Sequence, residues 1–477
     1  MTHALLRSFR AALITAIALP ALSACTTGPD FQRPAPIASA HYDTQAEAAL
    51  APRLRLGDRA DGDWWARFRS ARLDAVMRRA IAGNQDLVAA DATIAQADEA
   101  IAAARGSLRP QASFGASGGR ARSVNGNVVE TSNFYAVGPT VGFDFDVFGG
   151  NRRRVEQQAA RAAVQTHRYD AAYLTMTGDV ASQALTLASA RAQIDAVQAL
   201  LADDRRNLAL VRAGHRLGGA TQVDVSLAET QLAQDETLLP PLAQQRDVAR
   251  HALSMLAGKG PADWVPPDFD LTDFALPDTL PVSLPSDLAH ARPDILAAEA
   301  ELHAASAGVG VATADLYPHL QLSASLAQAG PGIGTLWSLA GGLTGPIFSG
   351  GTLTANRRAA IDGYDATLAG YRQTVIRALG QVADVLQAIN HDGDETVAQD
   401  RALQSAQANL RLNEVAYRAG EIDLLHVVEA QRAWHRALLG QIQARTAQYL
   451  DTVQLAVALG GNADGAFAHR LASRNAP

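Results

Sequence analysis

The sequence repeats itself. Asp86, Ala89, Leu108 and Pro110 realign with Asp294, Ala297, Leu316 and Pro318 at a shift of 208 residues. Phe148 and Gly150 realign with Phe348 and Gly350 at 200, and Arg216, Gly218 and Val225 with Arg418, Gly420 and Val427 at 202. One such match between alanine-rich helices arises by chance. Three collinear matches with small length changes between them mark a duplicated supersecondary unit, so the chain must fold with approximate internal two-fold symmetry.

The N-terminus constrains the location. Arg7 and Arg10 precede an apolar run from Ala11 to Ala24, too short and wrongly flanked for a membrane-spanning helix, and residues 1–24 are expected to be an export signal. Leu22, Ser23, Ala24 and Cys25, which close it, resemble the bacterial lipobox. That resemblance implies cleavage before Cys25 and a covalent lipid on its thiol; the alternative is an ordinary secretory signal with an incidental cysteine. Cys25 is the only cysteine, so no disulfide can form within the chain. Thr26 follows it instead of an aspartate, which in such lipoproteins favours the outer membrane. Removing residues 1–24 takes away two arginines and no acid, moving the formal charge from −7 to −9 and arguing against a nucleic-acid partner.

Residues 25–60 carry Pro29, Pro34, Pro36 and Pro52 without sustained periodicity and are expected to form a lipid-anchored tether. The first repeat is expected over 61–260: helices from Trp64 to Leu108 with a break near Gly83 and Asn84, a β-hairpin over about 111–148, and long helices over 151–258. In the second strand of that hairpin, Tyr135, Val137, Val141, Phe143, Phe145 and Val147 share one face while Ala136, Thr140, Asp144 and Asp146 share the other. A loop of about ten residues around Asn125 to Ser132 joins the two strands. A proline-rich linker over 261–286 leads to the second repeat over 287–460, with a helix, a hairpin at about 319–348 and long helices over 350–459; 461–477 is a tail. Leu187, Ile194, Leu201 and Leu208 recur every seven residues, and Val375, Leu379, Val382, Leu386 and Ile389 alternate between four and three, as in coiled-coil seams. Pro240 and Pro241 should kink or split the first return helix.

No stretch after the signal gives 18 uninterrupted apolar residues, so any membrane passage must be a closed β-barrel. A soluble sheet with one wet face alternates in the same way and stays open as a reading. If the strands do cross a membrane, four per chain cannot close a barrel, and eight from two chains enclose only side chains. Three chains give twelve strands and a lumen. The expected fold is therefore an α+β membrane protein: a homotrimeric, 12-stranded transmembrane β-barrel continued by a long periplasmic α-helical barrel, internally duplicated.

Trp64, Trp65, Phe68 and Leu73, the run Arg292-Pro293-Asp294-Ile295 with Glu299, the Tyr317-Pro318 pair, and Gly345-Pro346-Ile347-Phe348 with Gly350-Gly351 resemble the outer-membrane efflux lipoproteins of the NodT and OprM group, relatives of TolC. The resemblance covers about residues 25–460. It implies an outer-membrane exit duct that exports small molecules handed over by a periplasmic membrane-fusion adaptor and an inner-membrane pump of RND type. A protein-secretion duct of the TolC kind and a non-conducting periplasmic coiled-coil scaffold lipoprotein are the alternatives. Arg216, Gly218 and Gly219 in one repeat, and Arg418 and Gly420 in the other, fall on the helix ends that such proteins present to the adaptor. Tyr417 falls on a tyrosine that locks the periplasmic mouth, Asp224 on its acidic partner, and Glu429 on a carboxylate facing the pore axis. His426 stands where TolC-like chains have an aspartate, and Leu217 where a tyrosine is often found. Histidine titrates near neutrality, so His426 is a candidate for pH-dependent pore charge.

Enzymatic chemistry finds no support. The 12 histidines show no His-Glu-x-x-His spacing, there is no phosphate-binding glycine loop, and the one thiol is assigned to a lipid. Asp144 and Asp146, two apart on an expected strand, are assigned to a watery lumen. Arg152, Arg153 and Arg154 are assigned to solvated charge at a helix start or to lipid head groups. No metal and no cofactor other than the covalent lipid is expected.

Overall fold

The structure is a computed structural model that describes residues 26–35, 39–58, 63–125, 128–330 and 334–461. In chain order it contains α1 (Thr44–Leu50), β1 (Leu54–Leu56), a 3-10 turn (Trp64–Phe68), α2 (Ala71–Gly83), α3 (Gln85–Gly106), β2 (Gln111–Asn125), β3 (Val128–Asp144) and α4 (Gly150–Arg216). There follow α5 (Gln222–Glu236), α6 (Leu239–Leu256), β4 (Leu280–Val282), α7 (Pro285–Ala291), α8 (Pro293–Ala314), β5 (His319–Gly330), β6 (Gly334–Thr344), α9 (Thr352–Arg418) and α10 (Leu424–Ala458). The duplication reappears in the elements: α3 and α8 each have 22 residues, and α4 and α9 each have 67, a length of about 100 Å at 1.5 Å rise per residue. No described helix is long and apolar enough to cross a membrane. Cys25 lies outside the described residues.

The described residues group into two compact units. The first contains residues up to Ala35, Ala92–His167 and Leu296–Thr374, and its centre is an antiparallel sheet in the order β2-β3-β5-β6. β3 and β5, the last strand of one repeat and the first of the next, pair in the middle with Phe143 opposite Leu322. The two hairpins differ in register: Gln111 faces Gly142, whereas His319, the counterpart of Gln111, faces Thr344, two residues beyond the repeat equivalent of Gly142. An even offset leaves every side chain on its original face. Gly138 is required by this sheet, because a Cβ there would overlap the backbone of Leu326 and Ala327.

Three expectations change in this unit. β3 begins at Val128, so the anticipated ten-residue loop is mostly strand, and its tip at 126–127 lies outside the described residues. The apolar alternation past Asp144 and Thr344 is not strand. Asp146 turns out of the sheet at φ 43° and caps α4, accepting from the Asn151 N–H at 2.8 Å and the Arg152 N–H at 3.0 Å, so it does not share the polar strand face with Asp144. Arg153 is not solvated: it is 4% exposed. Its guanidinium donates to the carbonyls of Thr27 (3.1 Å) and Gly28 (3.3 Å) and to the carboxylates of Asp30 and Glu156 (both 2.7 Å), strapping the N-terminal segment to α4. Thr27 completes the strap through N–H and hydroxyl donation to the Phe148 carbonyl, at 3.1 and 2.9 Å.

The second unit contains Pro36–Asp91, Arg168–Ile295 and the chain from Val375 onward. Trp64, Trp65, Phe68 and Leu73, the motif at the start of the first repeat, are all buried; Phe68 packs against Tyr449, which also meets Phe274, itself against Phe269. The Tyr449 hydroxyl donates to the Phe274 carbonyl at 2.8 Å. Arg292 donates to Asp294 (2.8 Å) and to the Ala458 carbonyl (2.9 Å), giving the Arg-Pro-Asp-Ile run a role in docking the end of α10. The tether and the proline-rich linker are not featureless: β1 and β4 pair in parallel, Leu54 opposite Leu280. Leu187, Ile194, Leu201 and Leu208 are all buried, as are Val382, Leu386 and Ile389. The return segment of the first repeat splits into α5 and α6, with Pro240 in the first turn of α6 where its missing N–H costs nothing.

Gly138→Val is expected to abolish the folded sheet by overpacking worth at least about 1–3 kcal/mol, read as loss of the heat-modifiable band on gels. Gly142→Ala, whose added Cβ meets nothing within 4 Å, should keep that band; equal behaviour of the two variants would contradict the packing described.

Candidate functional site

The sheet has two chemically different faces. Phe114 of β2, Val141 and Phe143 of β3, Leu320, Leu322 and Leu326 of β5, and Trp337, Leu339 and Leu343 of β6 share one face by register. Phe114, Trp337, Leu339 and Leu343 are among the most exposed large apolar side chains of the chain. The opposite face presents Gln111, Ser113, Thr140, Asp144, His319, Gln321, Ser323, Ser325 and Ser338, interspersed with glycine and alanine. Ser325 and Ser338 join hydroxyls across β5 and β6 at 2.8 Å. One face suits hydrocarbon and the other suits water, which is the requirement on the wall of an aqueous pore in a bilayer.

The helix ends of the second unit carry the remaining candidate residues. α4 stops at Arg216 and α9 at Arg418, each followed by a glycine in the left-handed region, Gly218 (φ 79°) and Gly420 (φ 77°). The Gly219 N–H then bonds back to the Gly214 carbonyl at 2.8 Å, and the Glu421 N–H to the Ala416 carbonyl at 3.0 Å. These are the same closure 202 residues apart, and they satisfy carbonyls that a helix end would otherwise orphan.

The next helices start with matched caps whose charges are exchanged. At α5 the Thr221 hydroxyl accepts from the Asp224 N–H at 3.2 Å, while the Asp224 carboxylate accepts from the Thr221 N–H at 2.7 Å and its hydroxyl at 2.8 Å. At α10, Asp423 takes the capping position, accepting from the His426 N–H at 3.3 Å and pairing with His426 Nδ1 at 2.7 Å. Asp224 and His426 are repeat equivalents, so one cap puts its acid on the third residue and the other puts it on the first. The Thr221 backbone and hydroxyl donors hold the Asp224 carboxyl below its usual range, and the His426 side chain and N–H do the same for Asp423. Stabilisation by a depressed carboxyl is present above its ordinary pKa and is lost only as pH falls through the lower folded value, so both caps persist across the neutral range.

Tyr417, 40% exposed, does not hydrogen-bond Asp224 within one chain, and Glu429 is exposed. The expected lock pair is therefore not assembled by a single copy, and Asp224 serves its own helix start. His426 has a partner, Asp423, which sequence reasoning missed although Thr221-x-x-Asp224 and Asp423-x-x-His426 have capping spacing.

Two acids on the helix seams, Asp204 buried and Asp392 half-buried, were also missed. Asp204 of α4 is pushed up to about 6, first by burial and then by the nearby Asp235 carboxylate of α5, with Arg432 of α10 opposing. Asp203 beside it meets the buried His435 Nε2 at 2.9 Å. Asp392 of α9 is likewise pushed up to about 6, by burial and then by Asp451 of α10.

A sheet of this kind carried with paired helices of such length defines the outer-membrane duct class of protein. Comparison with known proteins gives the family. The outer membrane efflux protein family model matches residues 76–259 and 284–461. The chain is 31% identical over 414 residues to the pyoverdine export outer membrane protein OpmQ of Pseudomonas aeruginosa, covering 83% of this chain and 87% of OpmQ. It is 31% identical over 478 residues to the toluene efflux pump outer membrane protein TtgF of Pseudomonas putida, covering 95% and 98%. The solved outer-membrane channel OprN superposes with a TM-score of 0.84 at 26% identity over 92% of this chain and all of OprN. The chain belongs to the outer membrane efflux protein family and is an outer-membrane efflux channel, of a family of ducts rather than of known enzymes.

Because raised carboxyls cost stability as pH climbs from their ordinary value toward the raised one, and cost most above it, Asp204→Asn with Asp392→Asn should raise the melting temperature at pH 7.5. The same pair should flatten its fall between about pH 4 and 6. An unchanged pH profile would contradict the burial of these acids.

Proposed function

We propose that this chain is the exit duct of a tripartite efflux system, through which small molecules delivered from a periplasmic membrane-fusion adaptor and an inner-membrane RND-type pump leave the cell passively. The observation that carries this reading is the two-faced sheet with open edges: three copies close twelve strands around a lumen wide enough to conduct, whereas two do not. The relatives named for pyoverdine and toluene export support a small-molecule cargo. In this reading the energy comes from the partners.

In this account Cys25, freed by removal of residues 1–24, carries the covalent lipid. Arg216, Gly218 and Gly219, with Arg418 and Gly420, form the surface that adaptor hairpins meet, a role supported by their shared closure at two equivalent helix ends. Tyr417 and Asp224 lock the mouth between neighbouring helices once copies assemble, the second Asp224 oxygen being left over from the cap. Glu429 contributes one carboxylate per copy to a ring that attracts cations. His426, paired to Asp423, tempers that charge.

The lock is tested by single-channel recording in planar bilayers. Tyr417→Phe combined with Asp224→Ala should raise the closed-state conductance several-fold, while leaving Thr221 to cap α5. Conductance equal to that of the parent would remove these residues from the gate.

A further inference from the structure

The centre of the sheet holds a contact that the chain makes once and has the residues to make twice. β3 and β5 meet where the first repeat ends and the second begins. On that rim Phe148, four residues past β3, stacks on Tyr317, two residues before β5, with ring centroids 4.7 Å apart and planes 16° from parallel. The Phe145 N–H extends the strand pairing to the Leu320 carbonyl at 3.0 Å.

By the duplication, Phe348 is the counterpart of Phe148, and Arg109 is the counterpart of Tyr317. Phe348 follows β6 at one edge of the sheet, and Arg109 precedes β2 at the other edge. The two cannot meet within one chain. Phe348 is accordingly 90% exposed and its neighbour Ile347 is fully exposed, in a connection of residues 345–351 that is longer than the corresponding 145–149. The Arg109 corner is already shaped: its N–H bonds to the Gly106 carbonyl at 3.0 Å, and the Gln111 side-chain amide donates to the carbonyls of Gly106 (2.8 Å) and Arg109 (3.2 Å). Among the described residues the Arg109 guanidinium makes no ion pair.

We propose that the Ile347-Phe348 knob of one copy seats on the Leu108–Pro110 corner of the next, with the Phe348 ring stacked on the Arg109 guanidinium of the partner subunit as Phe148 stacks on Tyr317 within the chain. The occupant is a second copy because antiparallel pairing of β6 with β2 across copies brings the end of β6 and the start of β2 to the same rim, as β3 and β5 already do. A guanidinium is a suitable replacement for the tyrosine ring, since it stacks on aromatic faces through both its charge and its plane. The knob then acts as a latch on each intersubunit seam, set beside the strands rather than within them. This inference rests on the closure of several copies proposed above.

The test uses the full chain in outer membranes carrying Arg109→Cys and Phe348→Cys together, with each single variant as control. The native Cys25 is the only other cysteine, and the controls report its contribution. A short bifunctional thiol cross-linker should convert the double variant to linked dimers and trimers and leave the single variants unlinked. Phe348→Trp, made together with Trp337→Phe because Trp337 lies on the lipid-facing side of the sheet, provides a second reading: the fluorescence it adds should resist quenching by brominated lipids. Absence of links in an assembly whose mass is that of several chains, or strong lipid quenching of the tryptophan, overturns the latch while leaving the duct intact. A single-chain mass in detergent overturns the assembly on which the latch depends.

Discussion

Backbone hydrogen bonding in hydrocarbon is the constraint from which the rest follows. Among the described residues, a sheet of four strands leaves the outward N–H and C=O groups of β2 and β6 without a strand partner. In water such edges are hydrated; inside a bilayer each orphaned group costs several kcal/mol. The exposed apolar side chains on one face, from Phe114 to Leu343, leave hydrocarbon as the compatible surroundings for that face, while the serine, glutamine and glycine of the other face require water. A chain with both properties is incomplete alone, and its edges have to meet the edges of further copies.

The duplication supplies a local rule for how that completion works. Equivalent helices of 67 residues, equivalent glycine closures and equivalent caps place nearly the same unit twice in the chain. What differs is instructive. The two caps exchange the position of their acid, one pairing it with threonine and the other with histidine, so the two helix starts present different charge. Among the described residues only the first repeat has the N-terminal strap, held by the buried Arg153, at the end of its last strand. Carboxyls in the caps are depressed and favour the neutral range, while the seam acids Asp204 and Asp392 are raised and oppose it. Stability is thus built with a residual cost in the helical seams.

Much of the fold was legible because periods of two, three-and-a-half and 202 residues are written directly in the order of side chains. The apolar faces of β3 and β5, the heptad stripe from Leu187 to Leu208 and the break at Pro240 needed only that order. Strand ends were less legible: Phe145 and Val147 continue the alternation of β3, yet Asp146 between them turns to cap α4. The partners of Arg153 lie more than 120 residues away in sequence, and the Asp204–Asp235 and Asp392–Asp451 neighbours sit on different helices. No local pattern encodes such contacts. The helix-end arginines and glycines were legible from the repeat and the family resemblance together, and the caps Thr221 and Asp423 are visible in their spacing.

The most direct test of this account is the mass of the mature protein extracted from outer membranes in mild detergent and corrected for bound detergent. Closure of the β2 and β6 edges into a conducting barrel predicts three chains per particle. A particle of one chain that stays soluble when detergent is withdrawn would contradict it, because the edges would then be satisfied by water and the sheet would line no pore.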